Sequence, residues 1–389
     1  MTDVIAASQP PKADPLRLLF LLPSIRGGGM ERLASILARG LDPARFTVEI
    51  VVLHRRNENA DVRASLPARI PVISLDKRGR LDGVRIIPRL AGLLRRRRPD
   101  VAIGFMTYPN LLLLAAGWLL RGAAPPVIAT EHVTPDALRA TRGKRLQLTL
   151  ARRLYSRAAA VVAVSEGLRG ALLRDLDLAK SLVTTIYNPF DPELDALAAD
   201  DERPHPWLES GDPTLVAVGR LAPQKAYPNL LRALALVRRR RPARLLILGD
   251  GEERSALERL RDELGLGDAV EFLGYVANPF PYMRDAAAFV LASDWETLGF
   301  VLVEASRVGA AIVATDCEFG PNEIVDDGHT GLLVPPGDPE ALAAAIGRVL
   351  DDPELAGALR SGARSRSAAF APDEAIRRYA ELVVEVAGR

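Results

Sequence analysis

Two glutamates, Glu296 and Glu304, lie eight positions apart across a turn that joins a predicted strand to a predicted helix. The apolar run at 286–291 predicts the strand, and the helix is expected to begin near Phe300. Glu296 would then lie on the rim of the turn, and Glu304 in the opening turns of the helix. Such a carboxylate can accept hydrogen bonds from neighbouring hydroxyl groups, as the ribose-binding acid of dinucleotide folds does. Two solvated acids beside an ordinary helix fit the spacing equally well.

A second strand-to-helix loop carries two cations, Arg220 and Lys225, directly after the apolar run at 214–219. Cations at the carboxyl end of a strand can bind phosphate oxygens, with arginine supplying a planar fork and lysine a point charge. The chain has five lysines among its 51 basic residues, and Lys225 is the last of them. Unless it is a chance survivor, its retention predicts a need for a compact ammonium group.

Three consecutive glycines, Gly27, Gly28 and Gly29, separate the predicted strand at 16–22 from a helical pattern that starts near Met30. Glycines in this position let the backbone approach a ligand closely and direct amide N–H groups at an anion. The spacing does not match the G-x-G-x-x-G dinucleotide fingerprint. A glycine-rich turn alone is more often a tight turn than a binding site.

These segments together resemble glycosyltransferase family 4, the retaining, nucleotide-sugar-dependent transferases of the GT-B fold. The variants at 317–325 and 224–233 are most similar to the branch that builds bacterial surface polysaccharides and lipid-linked oligosaccharides. Many members have Lys-Gly where this chain has Lys225 followed by Ala226, a change that affects the loop backbone rather than the phosphate role. The resembling segments are GGGMER at 27–32, GRLAPQK at 219–225, LILGDGEER at 246–254, FLGYV at 272–276, SDWETLGFVLVEA at 293–305 and GPNEIVDDGHTGLLVP at 320–335.

The resemblance implies an α/β protein of the GT-B fold, with two Rossmann-like doubly wound domains facing a central cleft. Periodicity agrees, because strand-like runs alternate with helical patterns on both sides of an acidic, proline-rich break at 191–213. The predicted strands are 16–22, 47–53, 70–75, 101–105, 127–130, 160–164, 183–187, 214–219, 244–248, 270–273, 287–291, 311–315 and 331–334. The predicted domains are an acceptor domain at 1–200 (1–15 disordered), a donor domain at 201–372 and a C-terminal helix at 373–389 that crosses back to the first domain.

The resemblance also implies the reaction and its residues. The enzyme would move a sugar with retention from a nucleoside diphosphate, most readily UDP, to a glycan or polyprenyl-diphosphate-linked acceptor in cell-surface polysaccharide synthesis. His132 and Glu296 would be catalytic, with Glu296 acting either as nucleophile or as electrostatic support. No cofactor or metal is expected, since Arg220, Lys225 and a helix N-terminus would supply the charge. The donor-binding residues would be Gly28, Gly29, Arg220, Lys225, Tyr275, Val276, Thr297, Leu298, Gly299 and Glu304.

Two other functions remain open on the sequence alone. One is a nucleotide-sugar epimerase of the same fold, and the other is a catalytically inactive, membrane-associated sugar-binding protein. Nucleic-acid binding is not expected, because aromatic residues make up only 5% of the chain and no recognition motif is present.

Charge is unevenly distributed along the chain. The overall charge of +2 combines +11 in residues 1–200 with −9 in residues 201–389. A basic stretch interleaved with leucines, at 139–157, fits an anionic membrane surface, although a solvated face of an arginine-rich protein fits too. The single Cys317 suits a reducing cytosol, and the longest apolar stretch, at 111–120, is too short to cross a bilayer. We therefore expect a cytoplasmic protein, either soluble or peripheral on the inner face of the cell membrane.

Overall fold

A parallel β-sheet occupies each half of the chain in the computed structural model, which describes residues 14–25, 29–54, 66–77, 82–139, 141–199 and 205–388. The first sheet has the strand order β3-β2-β1-β4-β5-β6-β7, and its paired strands run parallel. Its strands are β1 (Leu16–Leu22), β2 (Phe46–Val52), β3 (Val72–Ser74), β4 (Val101–Phe105), β5 (Val127–Glu131), β6 (Ala160–Ala163) and β7 (Val183–Thr185).

The second sheet has the order β10-β9-β8-β11-β12-β13 and is also parallel. Its strands are β8 (Thr214–Val218), β9 (Arg244–Leu248), β10 (Val270–Gly274), β11 (Ala288–Leu291), β12 (Ile312–Thr315) and β13 (Leu332–Val334). Strands such as β4 and β12 are buried along their whole length. Such continuous apolar runs are typical of a parallel sheet that is covered by helices on both faces.

Helices connect the strands in both halves, which confirms the predicted pair of doubly wound α/β domains. The helices of the first half are α1 (Gly29–Gly40), α2 (Gly83–Arg97), α3 (Thr107–Leu120), α4 (Arg142–Leu154), α5 (Glu166–Leu176) and α6 (Leu194–Ala198). Those of the second half are α7 (Tyr227–Arg238), α8 (Arg254–Glu263), α9 (Phe280–Asp285), α10 (Phe300–Val308), α11 (Pro321–Ile324), α12 (Pro339–Asp351) and α13 (Pro353–Arg366).

The last helix, α14 (Pro372–Ala387), lies on the first domain although it follows the second in sequence. Its buried residues Ala375, Tyr379 and Val383 join the apolar cluster formed by β1, β2 and β4. Next to them, Ile376 packs against Gly40 at the end of α1 so closely that a β-carbon on that glycine would collide with it. The glycine is therefore what allows α14 to approach α1.

The strand orders fix where a ligand can bind. In an open doubly wound sheet, ligands occupy the crevice at the carboxyl ends of the two neighbouring strands from which the chain winds in opposite directions. These strands are β1 and β4 in the first sheet, and β8 and β11 in the second. The loops after β1, β8 and β11 are the same loops that carry the glycine, lysine and glutamate segments singled out in the sequence.

Candidate active site

Lys225 lies in a short 3-10 turn, Pro223–Lys225, between β8 and α7. Its side chain runs over Gly219, where a β-carbon would lie only 3.2 Å from the lysine Cε. Tyr227 donates a hydrogen bond from its hydroxyl to the Gly219 carbonyl oxygen at 3.1 Å, which holds the two ends of the loop together. The loop is therefore shaped to bring the ammonium group back toward the carboxyl end of β8.

Glu296 receives that ammonium group. The Lys225 Nζ lies 2.6 Å from Glu296 Oε1, and the Ser293 hydroxyl donates to the same oxygen at 2.7 Å. The glutamate side chain is only 7% exposed and that of the lysine 17%, so little water screens the pair. The predicted phosphate-binding cation and the predicted catalytic carboxylate thus lie in direct contact.

Gln224 fixes the distance between the two loops. Its side-chain amide donates to the Trp295 carbonyl oxygen at 2.9 Å, and its backbone carbonyl accepts from the Asp294 amide at 3.0 Å. This backbone pairing does not involve the Lys225–Glu296 ion pair, so the two loops are joined by separate, independent contacts.

Glu304 lies in the second turn of α10, as its sequence position predicted, and it is buried. The Arg32 guanidinium, from α1 in the other domain, bonds to its carboxylate. Burial raises the pKa of Glu304 to about 7, and the Arg32 charge opposes that rise. Arg32 thus favours the ionised carboxylate, the form that accepts hydrogen bonds from hydroxyl groups.

The first turns of α1 and α10 face each other across the space between the domains. A β-carbon on Gly29, the first residue of α1, would lie 3.7 Å from the ring of Phe300, the first residue of α10. Gly299 precedes α10 with φ of 79°, a left-handed conformation that glycine adopts without strain. Two helix N-termini in one place provide backbone amide donors and positive partial charge, which favours an anion. Gly28 lies outside the described residues.

The remaining residues predicted to bind the donor differ in exposure. Arg220 is exposed and makes no salt bridge among the residues that the structure describes. Tyr275 is 65% exposed beyond the end of β10, and Val276 is partly buried against the core. Thr297 and Leu298 form the turn before α10, and the Leu298 side chain is buried.

His132 follows β5 at the carboxyl edge of the first sheet, and burial lowers its pKa to about 4. The Thr130 hydroxyl donates its single proton to the Gly104 carbonyl oxygen at 2.9 Å, so it can only accept from His132 Nε2 at 3.3 Å. We therefore assign the neutral imidazole its proton on Nε2. Nδ1 is then an acceptor suited to a sugar hydroxyl.

A buried carboxylate, Glu131, lies next to this histidine. It accepts hydrogen bonds from Thr107 Oγ1 at 2.9 Å and from Asn110 Nδ2 at 3.0 Å. The Tyr155 hydroxyl and the His132 backbone amide also donate to it. Burial raises the pKa of Glu131 to about 7, although these donors partly offset the increase. The network fixes the backbone from which His132 projects.

The two domains also meet beside the loop before α10. The Ser165 hydroxyl donates to the Thr297 carbonyl oxygen at 2.6 Å, and Ser165 also caps α5. Glu323, from α11 of the second domain, accepts the first amides of α5 from Glu166 at 2.7 Å and Gly167 at 2.9 Å. A carboxylate at a helix N-terminus is favoured by the helix dipole, so this contact stabilises the approach of the domains.

Sequence reasoning did not identify Arg32, Glu131 or Glu323 as site residues. Arg32 and Glu323 stand within quoted motifs, but nothing local shows that each pairs with the opposite domain. A charged residue at the end of the buried run 127–131 was the available signal for Glu131. Among the described residues, no group of three His, Cys, Asp or Glu side chains is placed to hold a metal ion.

The two halves of the chain each match a known family. The sequence profile described as Glycosyltransferase Family 4 matches residues 27–194. The profile described as Glycosyl transferases group 1 matches residues 199–366. One match covers the described strands of the first sheet from β2 onward, and the other covers the second sheet.

The relatives of this chain include two bacterial transferases. The N-acetylgalactosamine-N,N'-diacetylbacillosaminyl-diphospho-undecaprenol 4-alpha-N-acetylgalactosaminyltransferase of Campylobacter jejuni is 26% identical over 91% of this chain and 95% of that protein. An exopolysaccharide phosphotransferase of Streptomyces coelicolor is 34% identical over 51% of this chain, and the match spans 24% of its length. This chain thus spans about a quarter of the second relative.

Solved structures share the fold at low sequence identity. Anabaena HepE, determined in complex with UDP and glucose, superposes with a TM-score of 0.81 at 22% identity, covering 95% of this chain and all of that one. The sucrose-phosphate synthase of Thermosynechococcus elongatus superposes with a TM-score of 0.76 at 21% identity, covering 95% of this chain and 98% of that one.

Proposed function

Because this chain belongs to the family 4 glycosyltransferases, we propose that it transfers a sugar, with retention of anomeric configuration, from a nucleoside diphosphate sugar to a glycan or lipid-linked acceptor. UDP is the nucleotide we propose, since the similar HepE structure was determined with UDP and glucose. A lipid-linked acceptor is supported by the Campylobacter jejuni relative, whose name includes diphospho-undecaprenol. A role in bacterial surface-polysaccharide synthesis is supported by the Streptomyces coelicolor relative, which is named an exopolysaccharide phosphotransferase.

The observation that carries this proposal is the buried Lys225–Glu296 pair beside the N-termini of α1 and α10. In the reaction, the bond between the sugar C1 and the diphosphate oxygen breaks and a bond from the acceptor oxygen to C1 forms. The acceptor hydroxyl proton passes to the departing diphosphate. The leaving group gains charge, and preorganised cations and amide donors stabilise that charge without reorganisation.

Each polar group then has a role. Lys225, Arg220 and the amides at Gly29 and Gly299 bind the diphosphate, with Gly28 as a further donor. Glu304 accepts hydrogen bonds from the ribose hydroxyls. These roles are supported by the position of the described residues among them, in the loops and helix starts at the carboxyl ends of β1, β8 and β11.

The sugar and base contacts complete the proposed site. Glu296 exchanges part of its contact with Lys225 for a sugar hydroxyl and supports the positive charge that develops at C1. Neutral His132 accepts a further sugar hydroxyl through Nδ1. The backbone around Tyr275 and Val276 holds the base, and the turn at Thr297 and Leu298 lies against the sugar.

We further propose that the enzyme works at the cytoplasmic face of the membrane, where a lipid-linked acceptor would be presented. No helix in the described part of the chain has the length and apolarity needed to span a bilayer. We propose that this binding is peripheral.

The donor assignment is tested by thermal stability in the presence of UDP-, GDP-, ADP- and TDP-sugars. Donor at 100 times its dissociation constant should stabilise the native state by about 2.7 kcal/mol. Lack of response to every nucleotide sugar would overturn the donor assignment. The anomeric configuration of the product, read from proton coupling constants, tests retention, and an inverted product would contradict it.

A further inference from the structure

The outward face of α4 carries leucines among arginines. Leu148 and Ala151 are buried, whereas Leu146 is 60% exposed and Leu150 is 36% exposed. With 3.6 residues per turn, Arg142 and Arg153 project on the same outward side as the two exposed leucines. The helix contains no acidic residue.

A second apolar group lies beyond the C-terminal end of α4. Trp118 and Leu119, in the last turn of α3, are 65% and 48% exposed. They line an open cavity of about 760 Å³, whose other walls include Arg121 and Arg157 and contain no acidic side chain. Arg157 belongs to the 3-10 turn that directly follows α4, so the cavity continues the outward face of that helix.

Nothing in the described structure covers this surface. Of the seven large hydrophobic side chains that the described residues expose, four lie here: Trp118, Leu119, Leu146 and Leu150. Arg142, Arg153 and Arg157 form no salt bridge among the described residues. Arg152 differs, because its guanidinium donates to the Asp175 carbonyl oxygen at 2.8 Å. Arginines without a described salt-bridge partner therefore surround exposed leucine and tryptophan side chains. Such a surface is complementary to a partner that carries negative charge and also has an apolar interior.

We propose that this surface docks on a membrane of anionic phospholipid, with α4 lying along the headgroups and the Trp118–Arg157 cavity receiving an acidic headgroup. This docking surface rests on the proposed function, because it assumes a lipid-linked acceptor. Tryptophan sits at the headgroup level of bilayers because its ring is amphipathic.

The position of α4 gives this docking an orientation. The helix follows the segment after His132, which lies at the carboxyl edge of the sheet, and ends near the start of β6 at the opposite edge. Thirteen residues span about 20 Å. With the helix lying flat on the bilayer, the edge of the sheet that carries the active site stays level with the lipid surface. A lipid-linked acceptor could then reach the cleft without leaving the membrane.

The test measures binding of the full chain to vesicles of phosphatidylglycerol and phosphatidylcholine in equal amounts, with pure phosphatidylcholine for comparison. Binding should require phosphatidylglycerol and fall steeply from low to physiological salt. Replacing both Arg142 and Arg153 by Ser should weaken binding by about 10- to 30-fold, because each interfacial arginine contributes about one factor of five. The matched control replaces Arg239 and Arg240, an exposed pair in the second domain, by Ser. It should weaken binding much less than the replacement of Arg142 and Arg153 does.

Trp118 provides a direct readout of depth. Brominated acyl chains should quench tryptophan fluorescence in the wild type, and Trp118→Phe should lose that quenching while Trp207 and Trp295 remain. Equal quenching in Trp118→Phe, or equal loss of binding in the Arg239 and Arg240 control, would overturn the proposed surface. Light scattering gives a further check, because a dimer that Leu146→Ser converts to a monomer would identify a second copy as the occupant.

The membrane and donor proposals can fail separately. Donor binding is measured in the same preparations without lipid. A protein that binds nucleotide sugar but ignores anionic vesicles at low salt refutes the docking surface alone. A protein that binds vesicles as described but no nucleotide sugar refutes the donor assignment alone.

Discussion

We expect Arg32 to set the fraction of Glu304 that is ionised at neutral pH. The two side chains bond across the domains, and the arginine side chain is 26% exposed, which lets water screen part of its charge. An adjacent opposite charge lowers a carboxyl pKa by about 1–3 units. After discounting for exposure, we expect Arg32→Gln to raise the pKa of Glu304 by about 1–2 units above its present value of about 7.

The consequence is a loss of donor affinity that depends on pH. With the pKa raised, the ionised fraction of Glu304 at pH 7 should fall from about one half to between about one tenth and one hundredth. If the ionised carboxylate binds the ribose, affinity for a UDP-sugar should weaken by about 5- to 50-fold at pH 7 and recover toward higher pH. A UDP-sugar is the right probe because its esterified diphosphate does not titrate in this range.

The assay is isothermal titration of the UDP-sugar at several pH values from 6 to 10. Arg32→Lys keeps the positive charge and should keep most of the wild-type pH profile. Glu304→Gln cannot titrate, so it should bind weakly with no pH dependence from this site. Unchanged affinity and an unchanged pH profile in Arg32→Gln would show that Arg32 does not control the ionisation of Glu304. Tighter binding would instead mean that Arg32 competes with the nucleotide for Glu304.

Three further predictions concern the other buried charges. Lys225→Ala should lower turnover by about 100-fold or more, because the loss of one preorganised donor has about this effect. Lys225→Arg should retain more activity. Near-normal turnover in the alanine variant would show that Lys225 has no part in the mechanism. Glu296→Gln should reduce turnover with little change in the affinity for UDP, whereas Glu304→Gln should weaken the binding of UDP. Equal effects of the two substitutions on UDP affinity would contradict the separate roles. The folded-state pKa of Glu131 is raised to about 7, so its contribution to stability is present below its unfolded pKa and is lost as pH rises through 7. Glu131→Gln should remove up to about 3 kcal/mol of that pH dependence between pH 4.5 and 7 in chemical denaturation, and an unchanged dependence would show that another group causes it.

Much of the fold could be predicted from local pattern. The strands at 16–22, 101–105 and 244–248 coincide with β1, β4 and β9. The apolar residues of a buried parallel strand form a continuous run, so the signal lies within the strand itself. Pro23 and Gly249 also mark the ends of β1 and β9. Boundaries shifted at β3, predicted at 70–75 but formed by Val72–Ser74, because pairing with β2 sets its length.

The closeness of the loops that form the candidate site could also be predicted, because loops at the carboxyl ends of strands that meet at a switch point must lie together. The placement of Glu304 early in a helix that begins at Phe300 follows from the sequence alone. The pairing of individual side chains does not. Whether Lys225 would bind only phosphate or would also contact Glu296, 71 residues away, depends on how two loops close against each other.

The strands and helices, their alternation and the loops of the candidate site could therefore be predicted, because those properties arise from neighbours within a few turns of chain. The tertiary structure was needed to show that Arg32 and Glu304, separated by 272 positions, form one ion pair. It alone showed that Glu323 caps a helix of the other domain. These contacts depend on the approach of two separately formed domains. The ionisation of Glu304 also depends on the tertiary structure, because burial raises its pKa and no local sequence pattern predicts that burial.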